Sequence, residues 1–397
     1  MVAPARPCRV GSEAKPSATI EALRCHVGRY LARYGLDPVR MHVLNRLLAC
    51  RTPTMGTHTC VCEACGWSAR VCNSCRDRHC PRCQGAATAE WLEARLERML
   101  PVPHFQVVFT LPSELRPIAY DNPKLVHGLL MRTAAGVLQD LAAQRMDARL
   151  GITTVLHTWT SELSFHPHAH CLVSAGGLSL DTERWVPTRK DYLFPQRILG
   201  AMFRGRFLEG LFEAHDAGDL QLRGETVQAS KDFCSTTRKL AKRHARWVVH
   251  VEPPRGRGVE LVTKYLARYV KRIAISDARV VNVTDTGVII QTRKGPLVLD
   301  GVEFVRRFLL HVLPSGFRKV RHYGLYAPGN AKRRLEIARA LLEEHSADTA
   351  EVEPEDQATD EPEPKASTGE VCPECGEQRV VRIFPTPRRV RRARGPP

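Results

Sequence analysis

His166-Pro-His168-Ala-His170-Cys-Leu-Val173 is the stretch on which the fold turns. It reads as a strand, and residues two apart on a strand share a face. His168 and His170 therefore point the same way, with apolar Ala169 packed behind them, while Pro167 is expected to divert the backbone at His166. His157 lies eleven residues before His168, on the strand-like run Thr153 to Thr160. If the two runs pair antiparallel, three imidazoles face one cation. A metal held by three imidazoles keeps positions open for water and substrate oxygens, which is what catalysis needs. A single histidine is more often a core or surface residue. Three at these positions, in a chain with 16, favour the metal.

Around this stretch the pattern mixes strands and helices. Phe105 to Leu111 is short, apolar and β-branched between prolines, hence a strand. Trp247 to Val251 is another, and Val280–Val283, Gly287–Arg293 and Pro296–Leu299 suggest a meander. Helical spacing marks Ile20 to Cys50 (broken near Gly35 and Pro38), Ala86 to Leu100, Leu125 to Leu141, Thr236 to Arg246, Val259 to Lys271, Val302 to Leu313 and Ala331 to Glu344. Without strict βαβ alternation this predicts an α+β fold. The expected division is a helical, zinc-binding module at 1–100, a catalytic core at 101–326, a helix at 327–346 and a disordered tail at 347–397.

Seven of the 14 cysteines fall between Cys60 and Cys83. Cys62-x2-Cys65 and Cys80-x2-Cys83 are two metal knuckles, expected to close one tetrahedron of thiolates around a structural Zn²⁺, with Cys75 as the substitute ligand. Cys60 and Cys72 read as small buried residues, and His79 as a neighbour. Cys372-x2-Cys375 supplies half a site only.

Tyr265-Leu-Ala-Arg-Tyr269 sets two phenols at i and i+4 on one helix face, among Lys264, Arg268, Lys271 and Arg272. A packed aromatic pair is the plainer reading. Four surrounding cations favour phenolate and also hold phosphate, which makes those four side chains candidate DNA contacts. A phenol is a feasible nucleophile once its proton is removed and the phosphorus is polarised by a metal.

The net charge is +17 over 397 residues, although the stretch from Ala347 to Glu370 holds nine acids and one base. The remainder is thus strongly basic, which favours nucleic acid as partner. That acidic, Pro-rich stretch reads as a disordered linker before a tail of arginines. Neither a secretory signal at Met1 to Pro16 nor a membrane-length apolar run is present, and the expected place is the cytoplasm, on the nucleoid.

Taken in order, these motifs resemble the rolling-circle two-tyrosine transposases of the IS-ninety-one type, in the HUH endonuclease superfamily. The matching residues are Asn73-Ser-Cys75-Arg-Asp-Arg-His79-Cys80-Pro-Arg-Cys83, Val107-Val-Phe-Thr-Leu-Pro112, His157-Thr-Trp159, His166-Pro-His168-Ala-His170-Cys171, Tyr265-Leu-Ala-Arg-Tyr269 with Ile273-Ala-Ile-Ser276, and Arg321-His-Tyr-Gly-Leu325. The resemblance implies a central antiparallel sheet flanked by helices, its middle strand carrying the two histidines, with the tyrosine helix packed beside it. It implies nicking and rejoining of single-stranded DNA at insertion-sequence ends through 5′-phosphotyrosine. Tyr265 and Tyr269 would be the nucleophiles, and His168 and His170 the ligands of Mg²⁺ or Mn²⁺. His157 as third ligand follows from spacing. No phosphate-binding loop is evident, so unwinding would fall to a host helicase. Two alternatives remain. One is a metal-independent tyrosine recombinase using Arg318, Arg321, His322 and Tyr326, and the other is a zinc-finger regulator without catalysis.

Overall fold

The computed structural model describes residues 17–83, 98–222, 230–242, 247–254, 274–329, 331–348, 372–377 and 379–384. Helix α1 (Ala18–Tyr34) starts where Ser17 caps the Ile20 amide, and it stops at Gly35. Asp37 caps α2 (Pro38–Ala49), accepting from the Val39 and Arg40 amides, with Pro38 in the first turn where no donor is needed. Strands β1 (Thr57–Cys62) and β2 (Ser68–Cys72) form a hairpin. Then come β3 (His104–Thr110), α3 (Arg116–Asp121), α4 (Pro123–Met146), β4 (Ala148–Trp159), β5 (Phe165–Ser179), β6 (Trp185–Pro187), α5 (Gln196–Asp216), α6 (Ser230–Lys242) and β7 (Val249–Glu252). The meander β8 (Val280–Val283), β9 (Gly287–Thr292) and β10 (Gly295–Asp300) leads into α7 (Gly301–Leu309), β11 (Val320–Gly324), α8 (Ala331–Asp348) and β12 (Val380–Ile383).

The main sheet runs β11-β4-β5-β3-β7, every pairing antiparallel, with β6 added beside β5. Its middle strand is β5, the histidine strand. Alternation sends Ala169, Cys171 and Val173 to one face, into a core with Phe105 and Phe109 of β3 and with α4 and α5. The opposite face carries His168 and His170, and farther along Leu172 packs with Val155, Met99, Leu100, Tyr326 and Leu335 of α8.

A second core joins α1, α2, the β8–β10 sheet and α7, through Leu23, Leu44, Leu47, Val288, Ile290, Phe304 and Phe308. Residues on both sides of position 100 share this core. The N-terminal helices thus pack directly on the β8–β10 sheet and α7. No described helix is long and apolar enough to cross a membrane.

His104, His127 and His311 are buried, and burial pushes their pKa values down to about 4, 3 and 4. They stay neutral in the folded chain, whereas the unfolded chain takes up protons near pH 6.5. Their contribution is therefore intact above pH 6.5 and is lost as the pH falls toward 4. By pH 5 each should cost about 2 kcal/mol of stability. Urea unfolding midpoints should accordingly drop between pH 7 and pH 5, and a flat profile would contradict this placement.

Candidate metal centres and catalytic face

On β4 and β5, His157 pairs in register with His168, and Val155 with His170. The ring centroids are 5.4 Å (His157 to His168), 4.4 Å (His157 to His170) and 4.9 Å (His168 to His170) apart, and one nitrogen of each lies within 4.8 Å of the others. His168 Nδ1 donates to the His166 carbonyl at 2.7 Å, which leaves Nε2 with a free lone pair. Burial lowers the His168 pKa to about 4 and holds His170 well below its usual value. All of this suits neutral imidazoles that coordinate a divalent cation.

His166 is outside the trio. Arg116 of α3 donates to its Nδ1 at 2.7 Å, so the ring is turned toward α3. The His157 ring stacks on Trp159 at 4.5 Å, and the Lys319 ammonium sits 5.0 Å from that indole. Lys319 is buried, and burial first, then the Arg78 charge, pushes its pKa down to about 7. The sequence carries no signal for it, because it precedes β11, a strand with no burial alternation.

Beyond Arg116 a cavity of about 670 Å³ opens between the α1–α2 turn, α3 and α7. Tyr30, Tyr34 and Tyr120 line it together with Arg40, Arg116 and Arg306. The Arg40 guanidinium lies 4.6 Å from the Tyr120 ring centre.

The thiols divide differently from expectation. Cys62, Cys65, Cys80 and Cys83 do not meet. Cys80 and Cys83 group with Cys75 and with Cys50, whereas Cys62 and Cys65 group with Cys372 and Cys375. The hairpin explains why. Its tip carries Cys62 and Cys65, and Cys75, Cys80 and Cys83 follow the end of β2 at its base, beside the Thr57–Cys72 pair. Five residues of strand at about 3.3 Å each separate tip from base by roughly 16 Å, too far for one ion.

Cys50, at the C-terminus of α2, supplies the fourth sulfur at the base. The Sγ atoms of Cys83 lie 3.5 Å from Cys50 and 3.6 Å from Cys75, and Cys80 lies 3.6 Å from Cys50. Zinc–sulfur bonds of about 2.3 Å at tetrahedral angles put sulfurs about 3.8 Å apart, so the four fit zinc. Cys60 and Cys72 are buried and belong to neither group. His79 is a strut: its Nδ1 donates to Asp77 at 2.8 Å and its Nε2 accepts from the Leu313 amide at 3.2 Å. Arg78 reaches the Phe317 carbonyl at 2.5 Å. The zinc module is thereby bolted to the segment that leads to Lys319.

Tyr265, Tyr269, Lys264, Arg268, Lys271 and Arg272 lie outside the described residues, as do most of the expected helix Ala86 to Leu100, the acidic stretch from 349 to 370 and the terminal arginines. Tyr326 is described. It is buried, its Oη sits 2.8 Å from His104 Nε2 and accepts from the Leu100 amide, and its ring lies 2.5 Å from where a Cβ on Gly151 would stand. It is a wedge between strand and helix and is closed to DNA.

Residues 22–111 match the family model described as "Transposase zinc-binding domain", and residues 151–334 match one described as "Putative transposase". The chain is 41% identical over 318 residues to "Putative transposase y4qJ" of Sinorhizobium fredii, an overlap of 78% of this chain and 79% of that one. It is 28% identical over 315 residues to "Transposase for insertion sequence element IS801" of Pseudomonas savastanoi pv. phaseolicola, covering 74% and 72%. No solved structure matches the chain.

Proposed function

Since the chain belongs to the insertion-sequence transposases of the IS801 type, we propose that it nicks and rejoins single-stranded DNA at element ends by a two-tyrosine, cation-assisted reaction. The observation that carries this reading is the meeting of His157, His168 and His170 on the middle of an antiparallel sheet. These three imidazoles would hold Mg²⁺ or Mn²⁺. When bound, the cation would polarise a non-bridging oxygen of the scissile phosphate and stabilise charge on the five-coordinate phosphorus.

The covalent step belongs to the phenols of Tyr265 and Tyr269. One phenol loses its proton and its oxygen attacks phosphorus in line. The bond to the 3′ oxygen breaks, that oxygen takes up a proton, and the 5′ phosphate stays on the enzyme. The second tyrosine allows a further transfer without release of an end. Lys264, Arg268, Lys271 and Arg272 would meet the phosphates. The cavity of tyrosines and arginines beyond His166 suits an unpaired base, since aromatic faces stack on any base. Such a single strand has to be exposed first, which a host helicase would do.

The test is cleavage of an end-labelled single strand with Mn²⁺ and after exhaustive EDTA treatment. Cleavage should require the cation, and His168→Ala or His170→Ala should lower the rate on the order of 10²- to 10³-fold with single-strand affinity nearly unchanged. Nicking that persists undiminished in EDTA would remove the reading. Tyr326→Phe should keep full cleavage, because that hydroxyl is engaged inside the protein. Loss of cleavage in this variant, with the fold intact, would favour the recombinase chemistry instead.

A further inference from the structure

We propose that Cys62, Cys65, Cys372 and Cys375 hold a second zinc ion that fastens the C-terminal segment onto the N-terminal module. Both matched family regions end before residue 335, so the C-terminal pair falls outside them.

The two pairs are built alike. In the first, the Gly66 amide donates to the Cys62 carbonyl at 2.9 Å and the Cys62 amide to the Trp67 carbonyl at 2.8 Å. In the second, the Gly376 amide donates to the Cys372 carbonyl at 3.0 Å and the Cys372 amide to the Glu377 carbonyl at 2.9 Å. The glycine after each pair has a left-handed φ, 75° for Gly66 and 76° for Gly376, where a side chain would be strained. Each turn therefore presents two sulfurs on one side. The turns face each other, with Cys62 Sγ 3.7 Å from Cys375 Sγ and Cys65 Sγ 3.7 Å from Cys372 Sγ. That is close to the tetrahedral edge of about 3.8 Å for zinc thiolate and far from the roughly 2.05 Å of a disulfide.

The backbone closes the same contact. β12 pairs antiparallel with β1 from Cys62↔Val380 to Thr59↔Ile383, making the sheet β12-β1-β2. The Glu63 amide donates to the Arg379 carbonyl at 3.0 Å, and Phe384 stacks on His58 at 5.0 Å. Four strand residues, β12 being Val380–Ile383, are short for docking a chain end alone. A zinc ion at the end of the strand supplies what it lacks. Everything from Asn73 to Val371, the histidine sheet included, then lies on a loop closed by that metal.

The test uses the full chain with a specific protease site placed between residues 355 and 364. Zinc per chain is measured on the purified protein, and after cleavage the two pieces are followed by size-exclusion chromatography. Cys372→Ser with Cys375→Ser should contain one zinc fewer than the parent, with the circular dichroism of the body unchanged. In the parent, the cleaved C-terminal piece should co-elute with the body until zinc is chelated, and in the double variant it should leave at once. Equal zinc in parent and variant, or a C-terminal piece that leaves the zinc-loaded parent, would overturn the proposal. Cleavage of DNA is not part of the readout, so failure of the nicking reading would leave this result standing.

Discussion

Replacing both Tyr265 and Tyr269 with Phe is expected to abolish the covalent protein–DNA adduct while single-strand binding stays within about twofold. In the proposed reaction the phenol oxygen is the atom that bonds to phosphorus, and losing a nucleophile costs on the order of 10⁴-fold or more. Affinity, by contrast, comes mainly from lysine and arginine contacts with the backbone. Either single variant should keep part of the first cleavage, provided each phenol reaches the phosphate. The measurement is trapping of labelled oligonucleotide on denaturing gels, with the label on either side of the nick. Adduct on the 5′ phosphate in the double variant would refute the assignment.

A comparably large effect is expected at the base of the zinc hairpin. Cys50, Cys75 and Cys80 sit inside the second core, among Leu47, Leu44 and Phe304, and Cys83 packs against it. A structural zinc contributes roughly 10–16 kcal/mol of binding energy to the fold that creates its site. Cys75→Ser or Cys80→Ser should therefore release one zinc and unfold α1, α2 and the β8–β10 sheet together. Because His79 and Arg78 brace the segment before Lys319, disorder should spread toward Trp159 and cleavage should fall with it. Thermal unfolding and zinc release can be followed on one sample. A variant that keeps the parent's melting midpoint and zinc content would contradict this.

The meeting of the three histidines was legible because strand geometry is local. A two-residue spacing puts His168 and His170 on one side, and the eleven residues back to His157 suit a hairpin whose turn lies at 160–164. Zinc pairing was not legible in the same way. Neighbouring knuckles invite pairing with each other, but a five-residue strand drives them apart, and their true companions lie at the end of α2 and more than 300 residues downstream. Helix α5 carries a weak signal in the sequence. Leu199, Phe203, Phe207 and Leu211 recur every fourth residue and are buried, yet interspersed arginines and glycines blunt the contrast between its faces. Strands β11 and β12 are four or five residues long and gain their identity only from the strands they join.

The central placement of β5 also bears on which genetic changes the site tolerates. His168 is matched to His157 on one side and to Thr110 on the other, and His170 to Val155 and Val108. Deleting or inserting one residue within this strand would exchange its two faces. Ala169 and Cys171 would turn toward His157, and two imidazoles would turn into a core built on Phe105 and Phe109. Slippage to restore the pattern is blocked, because it would have to break ladders with two long neighbours at once. Length changes should therefore collect in the connections around the sheet, and a frame-preserving indel inside the strand should inactivate the protein more surely than most point substitutions.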